Sequence, residues 1–116
     1  MLNILHNPRC SKSRQTLQLL DDAGHAPNVI EYLKTPLNAQ ELLSIKQKLG
    51  ITSFAEMMRV KDKEFKEMSL NQGDVSEEQL LNAMLELPKL IERPIVYTEQ
   101  SARIGRPPEQ VLELFK

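Results

Sequence analysis

Apolar and polar positions alternate between a short period and a helical period along the chain. Leu2 to Leu5 is a short apolar run bounded by Asn7-Pro8, which predicts a buried strand. From about Ser11 to Ala23 the spacing becomes helical, with Leu17, Leu20 and Ala23 on one face and Gly24 as a stop. Val29 to Leu33 predicts a second strand, closed by Thr35-Pro36. A second helix is expected after Asn38, a good N-cap with Glu41 at the capping-box position; Leu42, Ile45 and Leu49 form its apolar stripe and Gly50 ends it. Phe54 to Leu70 mixes Met57, Met58, Phe65 and Met68 with many charges and predicts short helices. Ser76 to Gln79 is another capping box, opening a helix with Leu80, Leu81, Met84 and Leu85 inward and Pro88 at its end. Ile95 to Tyr97 and Ala102 to Ile104 predict two strands joined by Thr98 to Ser101. Pro107 and Pro108 fit the start of a last helix with Val111, Leu112 and Phe115 inward.

The order is β-α-β, a helical insertion, then β-β-α. It predicts an α/β domain with a central mixed sheet, the plan of a thioredoxin-like fold, spanning residues 1–116. No repeat or long linker divides it. Pro94, just before an apolar strand, fits either a cis or a trans bond at that place.

Composition narrows the functional classes. Apolar residues make up 41% of the chain and charged residues 27%, with a formal net charge of -1, as in ordinary soluble domains. That balance argues against a nucleic-acid binder relying on bulk positive charge. Apolar runs of only a few residues argue against a membrane span or a secretory signal, so a cytoplasmic protein is expected. One cysteine forms no internal disulfide, and with only His6 and His25 beside it no zinc site or other metal is expected.

The position of that cysteine changes the picture. Cys10 lies just after a strand and just before a helix, where unpaired N–H groups and the helix dipole favour a thiolate. Arg9, Lys12 and Arg14 place positive charge nearby, so a lowered thiol pKa and attraction for anions are expected. Ser13 is within reach to donate a hydrogen bond to the thiolate or to a bound oxyanion. His6 has two readings: an imidazolium supporting the thiolate, or a satisfied histidine at a strand end. His25, after a helix-stopping glycine, reads as a solvated loop residue.

Spacing separates the thiol chemistries. A dithiol oxidoreductase needs Cys-x-x-Cys, and Ser13 occupies the second position. A cysteine phosphatase loop, Cys-x5-Arg, would put Arg where Thr16 stands. A papain-like protease needs a remote His with an orienting partner, and only His25 is remote. A single thiol that passes its disulfide to an external thiol remains. Arg93, before a strand, and Arg106, after one, occupy positions from which side chains can converge on one end of a sheet, and Arg supplies planar donors suited to oxyanions.

His6-Asn7-Pro8-Arg9-Cys10-Ser11-Lys12-Ser13-Arg14, Glu92-Arg93-Pro94-Ile95-Val96 and Ile104-Gly105-Arg106-Pro107-Pro108-Glu109, in this order and at these separations, resemble the glutaredoxin-linked arsenate reductase family. The resemblance runs over almost the whole chain. It implies a thioredoxin-like fold with Cys10 as nucleophile, His6 and Ser13 beside it, and Arg59, Arg93 and Arg106 gripping the oxyanion. Arg59 rests on the weaker match of Met57-Met58-Arg59. It also implies glutathione as co-substrate, glutaredoxin as the partner that restores the thiol, and no bound cofactor. Ser11-Lys12 departs from the Gly-Thr of the family's resistance enzymes and is more similar to a chromosomally encoded, arsenate-reductase-like branch. A second expectation is a non-catalytic redox-sensing relative, since thioredoxin-like relatives include a transcription regulator that binds RNA polymerase through a Cys-x-x-Cys switch. Ser13 in the second position speaks against that switch.

Overall fold

A computed structural model describes residues 1–116. Four short strands form one mixed sheet: β1 (Asn3–Leu5), β2 (Asn28–Ile30), β3 (Ile95–Tyr97) and β4 (Ala102–Ile104). Their order is β2-β1-β3-β4, with β1 parallel to β2 and β3 antiparallel to both β1 and β4. Helix α1 (Ser11–Asp22) makes the crossover between the parallel strands. The insertion between β2 and β3 carries α2 (Ala39–Leu49), α3 (Lys63–Glu67) and α4 (Glu77–Glu86), with 3-10 turns at Phe54–Met57 and Pro88–Leu90. A 3-10 segment, Pro108–Phe115, ends the chain. No helix is long and apolar enough to cross a membrane.

Period-2 alternation divides the core between the two faces of the sheet. Ile4 pairs with Val96 across β1 and β3, and both bury against Leu20 of α1 and Val111 of the last segment. Their neighbours Leu5 and Ile95 point the other way, into a larger cluster with Leu42 and Ile45 of α2 and Leu80, Ala83 and Met84 of α4. A one-residue slip of β1 would exchange these two sets, so the register is set by both faces at once. The helix starts are local: Asn38 and Ser76 both close reciprocal capping boxes, with Glu41 and Gln79.

Several expected details differ. The second strand stops at Ile30; Glu31 to Thr35 form a turn, with the amides of Lys34 and Thr35 both bonded to the Glu31 carbonyl at 2.9 Å. That turn brings Tyr32 into the core and leaves Leu33 exposed. Ala23 caps α1 and is exposed, so the apolar face ends at Leu20. In α4 Ala83 is buried, while Leu81 and Leu85 are half-buried at the edge of the core.

The C-terminal segment has a period of three, not 3.6. In a 3-10 segment residues i and i+3 eclipse, which lines up Pro108, Val111 and Leu114 toward the core. Phe115 therefore turns outward, is 39% exposed, and stacks on His25 with ring centroids 3.7 Å apart. His25 is accordingly a half-buried packing partner and not a freely solvated residue.

Candidate active site

Pairing brings four chain segments to one end of the sheet. Leu5, at the end of β1, pairs with Ile95 at the start of β3, which pairs with Ile104 at the end of β4. The residues just beyond these ends are Cys10, Arg93 and Arg106, and Tyr32 follows the neighbouring end of β2. Arg59 arrives on a separate strap: its amide bonds to the Leu90 carbonyl at 2.7 Å, and the Glu92 amide bonds to the Met57 carbonyl at 2.8 Å.

Gly105 sets the spacing of these segments. A Cβ there would lie 2.7 Å from Thr16 Oγ1 on α1 and 2.8 Å from Pro94 Cγ. A hydrogen at that position lets β4, α1 and the Pro94 loop meet, with the Gly105 amide bonded to the Pro94 carbonyl at 2.9 Å. The peptide bonds before Pro94 and Pro107 are both cis.

Cys10 is the N-cap residue of α1, half-buried, with its amide on the Asn7 carbonyl. Burial opposes ionisation of its thiol, but the backbone N–H groups of Ser13 and Lys12 and the Arg93 side chain outweigh it, and the pKa is lowered. Those N–H groups are the orphan donors of the first helical turn. Arg106 Nη2 approaches the sulfur at 3.8 Å. The expected contribution of the flanking cations is different: Arg14 is spent on the Pro8 carbonyl at 3.0 Å, and Arg9 and Lys12 have exposed side chains. Arg93 and backbone donors do the work that Arg9, Lys12 and Arg14 were expected to do.

Ser13 is fully buried, and its hydroxyl is engaged by Asn7 and His6 and makes no hydrogen bond to the thiol. It accepts the Asn7 N–H at 3.0 Å and lies 2.6 Å from His6 Nδ1. Contact with Cys10 is through the Ser13 backbone instead. His6 is 7% exposed, and burial lowers its pKa, with Glu31 partly opposing and Arg14 reinforcing the shift. Its open alternatives resolve toward a buried, neutral ring that braces the turn carrying Cys10.

The three arginines converge, but not on equal terms. Arg106 Nε bonds to Glu92 Oε1 and to the Arg93 carbonyl, each at 2.9 Å. Arg59 Nε bonds to Asp62 at 2.9 Å, and its Nη1 lies 3.4 Å from the same Glu92 oxygen. The Asp62 carboxyl is held below its usual range by that hydrogen bond. Arg93 alone has no carboxylate partner, and its buried Nε has no hydrogen-bond partner. Beside it the Tyr32 hydroxyl is also buried and unpartnered, and burial pushes the phenol up to about 12. Unsatisfied buried donors are uncommon, and these two flank the thiol. Glu92, Asp62 and Tyr32 were not expected from the sequence. A carboxylate beside arginines in sequence reads as a solvated ion pair, and a tyrosine in an apolar run reads as core. No group of three or more His, Cys, Asp and Glu side chains is placed to hold a metal ion.

A thioredoxin-like sheet thus carries one thiol at a helix start, with three arginines gathered at the same end. Residues 5–114 match the ArsC family. The chain is 52% identical over 113 residues to the uncharacterized protein YfgD of Escherichia coli K12, covering 97% of this chain and 95% of that one. It is 49% identical over 112 residues to a Haemophilus influenzae protein named arsenate reductase, covering 97% of both. The solved structure of an arsenate reductase from Vibrio cholerae superposes with a TM-score of 0.94 at 52% identity, covering 97% of this chain and 95% of that one. The chain belongs to the ArsC family.

Proposed function

We propose that this protein reduces arsenate to arsenite through Cys10, with glutathione and glutaredoxin as external thiols. The observation that carries this reading is the lone thiol at the start of α1, its pKa lowered, with Arg106 at 3.8 Å and Arg93 free of any carboxylate. The names of the relatives, arsenate reductases among them, support the substrate. In the reaction the Cys10 thiolate attacks arsenic, forming an S–As bond while an arsenate oxygen leaves as water after taking up protons. The arginines stabilise the charge on the remaining oxygens. The glutathione thiolate then attacks sulfur. The electron pair of the S–As bond stays on arsenic, which becomes arsenic(III) and leaves as arsenite. Cys10 is left in a mixed disulfide with glutathione. With one cysteine in the chain, that disulfide must be opened by an outside thiol, and glutaredoxin chemistry suits a glutathionyl group.

The test is arsenate reduction by purified protein with glutathione, glutaredoxin and a source of reductant. Turnover is expected with wild type and none with Cys10→Ser, and mass spectrometry should find a single glutathione adduct on Cys10. Turnover that survives Cys10→Ser, or that runs equally well on thioredoxin without glutathione, would overturn the mechanism.

A further inference from the structure

The carboxylate of Glu92 sits inside the cluster of cations that an oxyanion would use. Its Oε1 lies 2.9 Å from Arg106 Nε and 3.4 Å from Arg59 Nη1. On a guanidinium, Nε and Nη2 form one donor edge. Arg106 thus holds Glu92 by one end of that edge and faces the Cys10 sulfur, at 3.8 Å, by the other. A tetrahedral anion bound against the sulfur and this edge meets the Glu92 carboxylate as a neighbour.

Two consequences follow from the chemistry of that neighbour. An ionised carboxylate only accepts hydrogen bonds. It welcomes an oxygen that carries a proton and repels one that does not. The charge balance acts in the same direction. Glu92 and Asp62 neutralise two of the three guanidinium charges, and the Cys10 thiolate offsets the third. With no surplus positive charge, the site favours the more protonated and less charged form of such an anion.

We propose that Glu92 is a specificity-determining residue that accepts a hydrogen bond from the hydroxyl of a protonated tetrahedral oxyanion, so that the site takes hydrogenarsenate-like anions and turns away fully ionised ones such as sulfate. The proposal rests on the oxyanion reading of the site. Size plays little part in the choice, because phosphate and sulfate have nearly the same shape. What differs near neutral pH is the proton. A site that hydrogen-bonds a ligand's hydroxyl rejects the analogue lacking it more strongly than a size filter does, and Glu92 is partly buried.

The test uses reduced wild-type protein, Glu92→Gln and Glu92→Asp, with inorganic phosphate and sulfate as probes. Calorimetry gives affinities without turnover, and inhibition of arsenate reduction gives the same ranking where turnover is measurable. Wild type is expected to prefer phosphate by at least about tenfold, the scale of one well-placed hydrogen bond to a charged group. Glu92→Gln, whose amide donates as well as accepts, should lose most of that preference by gaining affinity for sulfate. Glu92→Asp, which keeps the charge, should keep the direction of the preference. A purely structural role for Glu92 would weaken both anions together. Equal affinities in wild type, or a preference unchanged in Glu92→Gln, would overturn the assignment to Glu92 alone. A wild type that binds neither anion would overturn the oxyanion reading itself.

Discussion

The Ser13 hydroxyl lies 2.6 Å from His6 Nδ1 and accepts the Asn7 N–H at 3.0 Å. The buried hydroxyl thus bridges the Asn7 amide and the imidazole ring. The pair joins the end of β1 to the first turn of α1 and closes the turn that carries Cys10. Ser13→Ala leaves two polar groups without partners, a loss of about 1–3 kcal/mol. Denaturant unfolding should show that loss, while the backbone N–H of residue 13 still faces the sulfur and thiol ionisation moves little. Wild-type stability in Ser13→Ala would show that the contact carries no weight.

Arg93 should act on the thiol and the anion, not on the fold. It has no carboxylate partner, so removing it breaks no ion pair. Arg93→Ala is expected to raise the Cys10 pKa and to lose about 2–4 kcal/mol of transition-state stabilisation, the usual scale for one oxyanion donor. Its thermal unfolding should stay near wild type. Arg106→Ala should lose turnover on the same scale but also release Glu92, so its anion preference should change as well. Comparison of kcat/KM with thermal melts separates the two effects. Full turnover in Arg93→Ala would remove its assigned role.

Tyr32 presents the opposite trade. Its hydroxyl is buried beside Arg93 without a well-formed hydrogen bond, so it contributes little to stability. Tyr32→Phe keeps the ring in the core and removes only that oxygen. Its unfolding free energy should equal or exceed wild type, by up to about 1 kcal/mol. A loss of stability of that size would show that the hydroxyl has a partner in solution.

The elements legible in the sequence are those fixed by local signals. Ile95 to Tyr97 and Ala102 to Ile104 emerge at their expected bounds, and the capping boxes at Asn38 and Ser76 start their helices as expected. The C-terminal segment was less legible, because a three-residue stripe and a helical stripe share Val111 but continue differently, to Leu114 in one and to Leu112 and Phe115 in the other. At the site, Cys10 could be placed from its strand-to-helix position. The partners of the thiol could not. Arg14 is nearer in sequence than Arg93, yet it turns to the Pro8 carbonyl, and strand pairing brings Arg93 across more than eighty residues. Glu92 and Tyr32 are ordinary residues in sequence and acquire meaning only where the sheet ends meet.

The activation of the Cys10 thiol can be read from its alkylation rate against pH. The thiol pKa is lowered, so the thiolate is the dominant form above the folded value and is lost as pH falls through it. With one cysteine in the chain, the rate reports this group alone. The midpoint should lie clearly below the free-cysteine value of about 8.5 and should move up in Arg93→Ala. A wild-type midpoint at or above the free value would contradict the account.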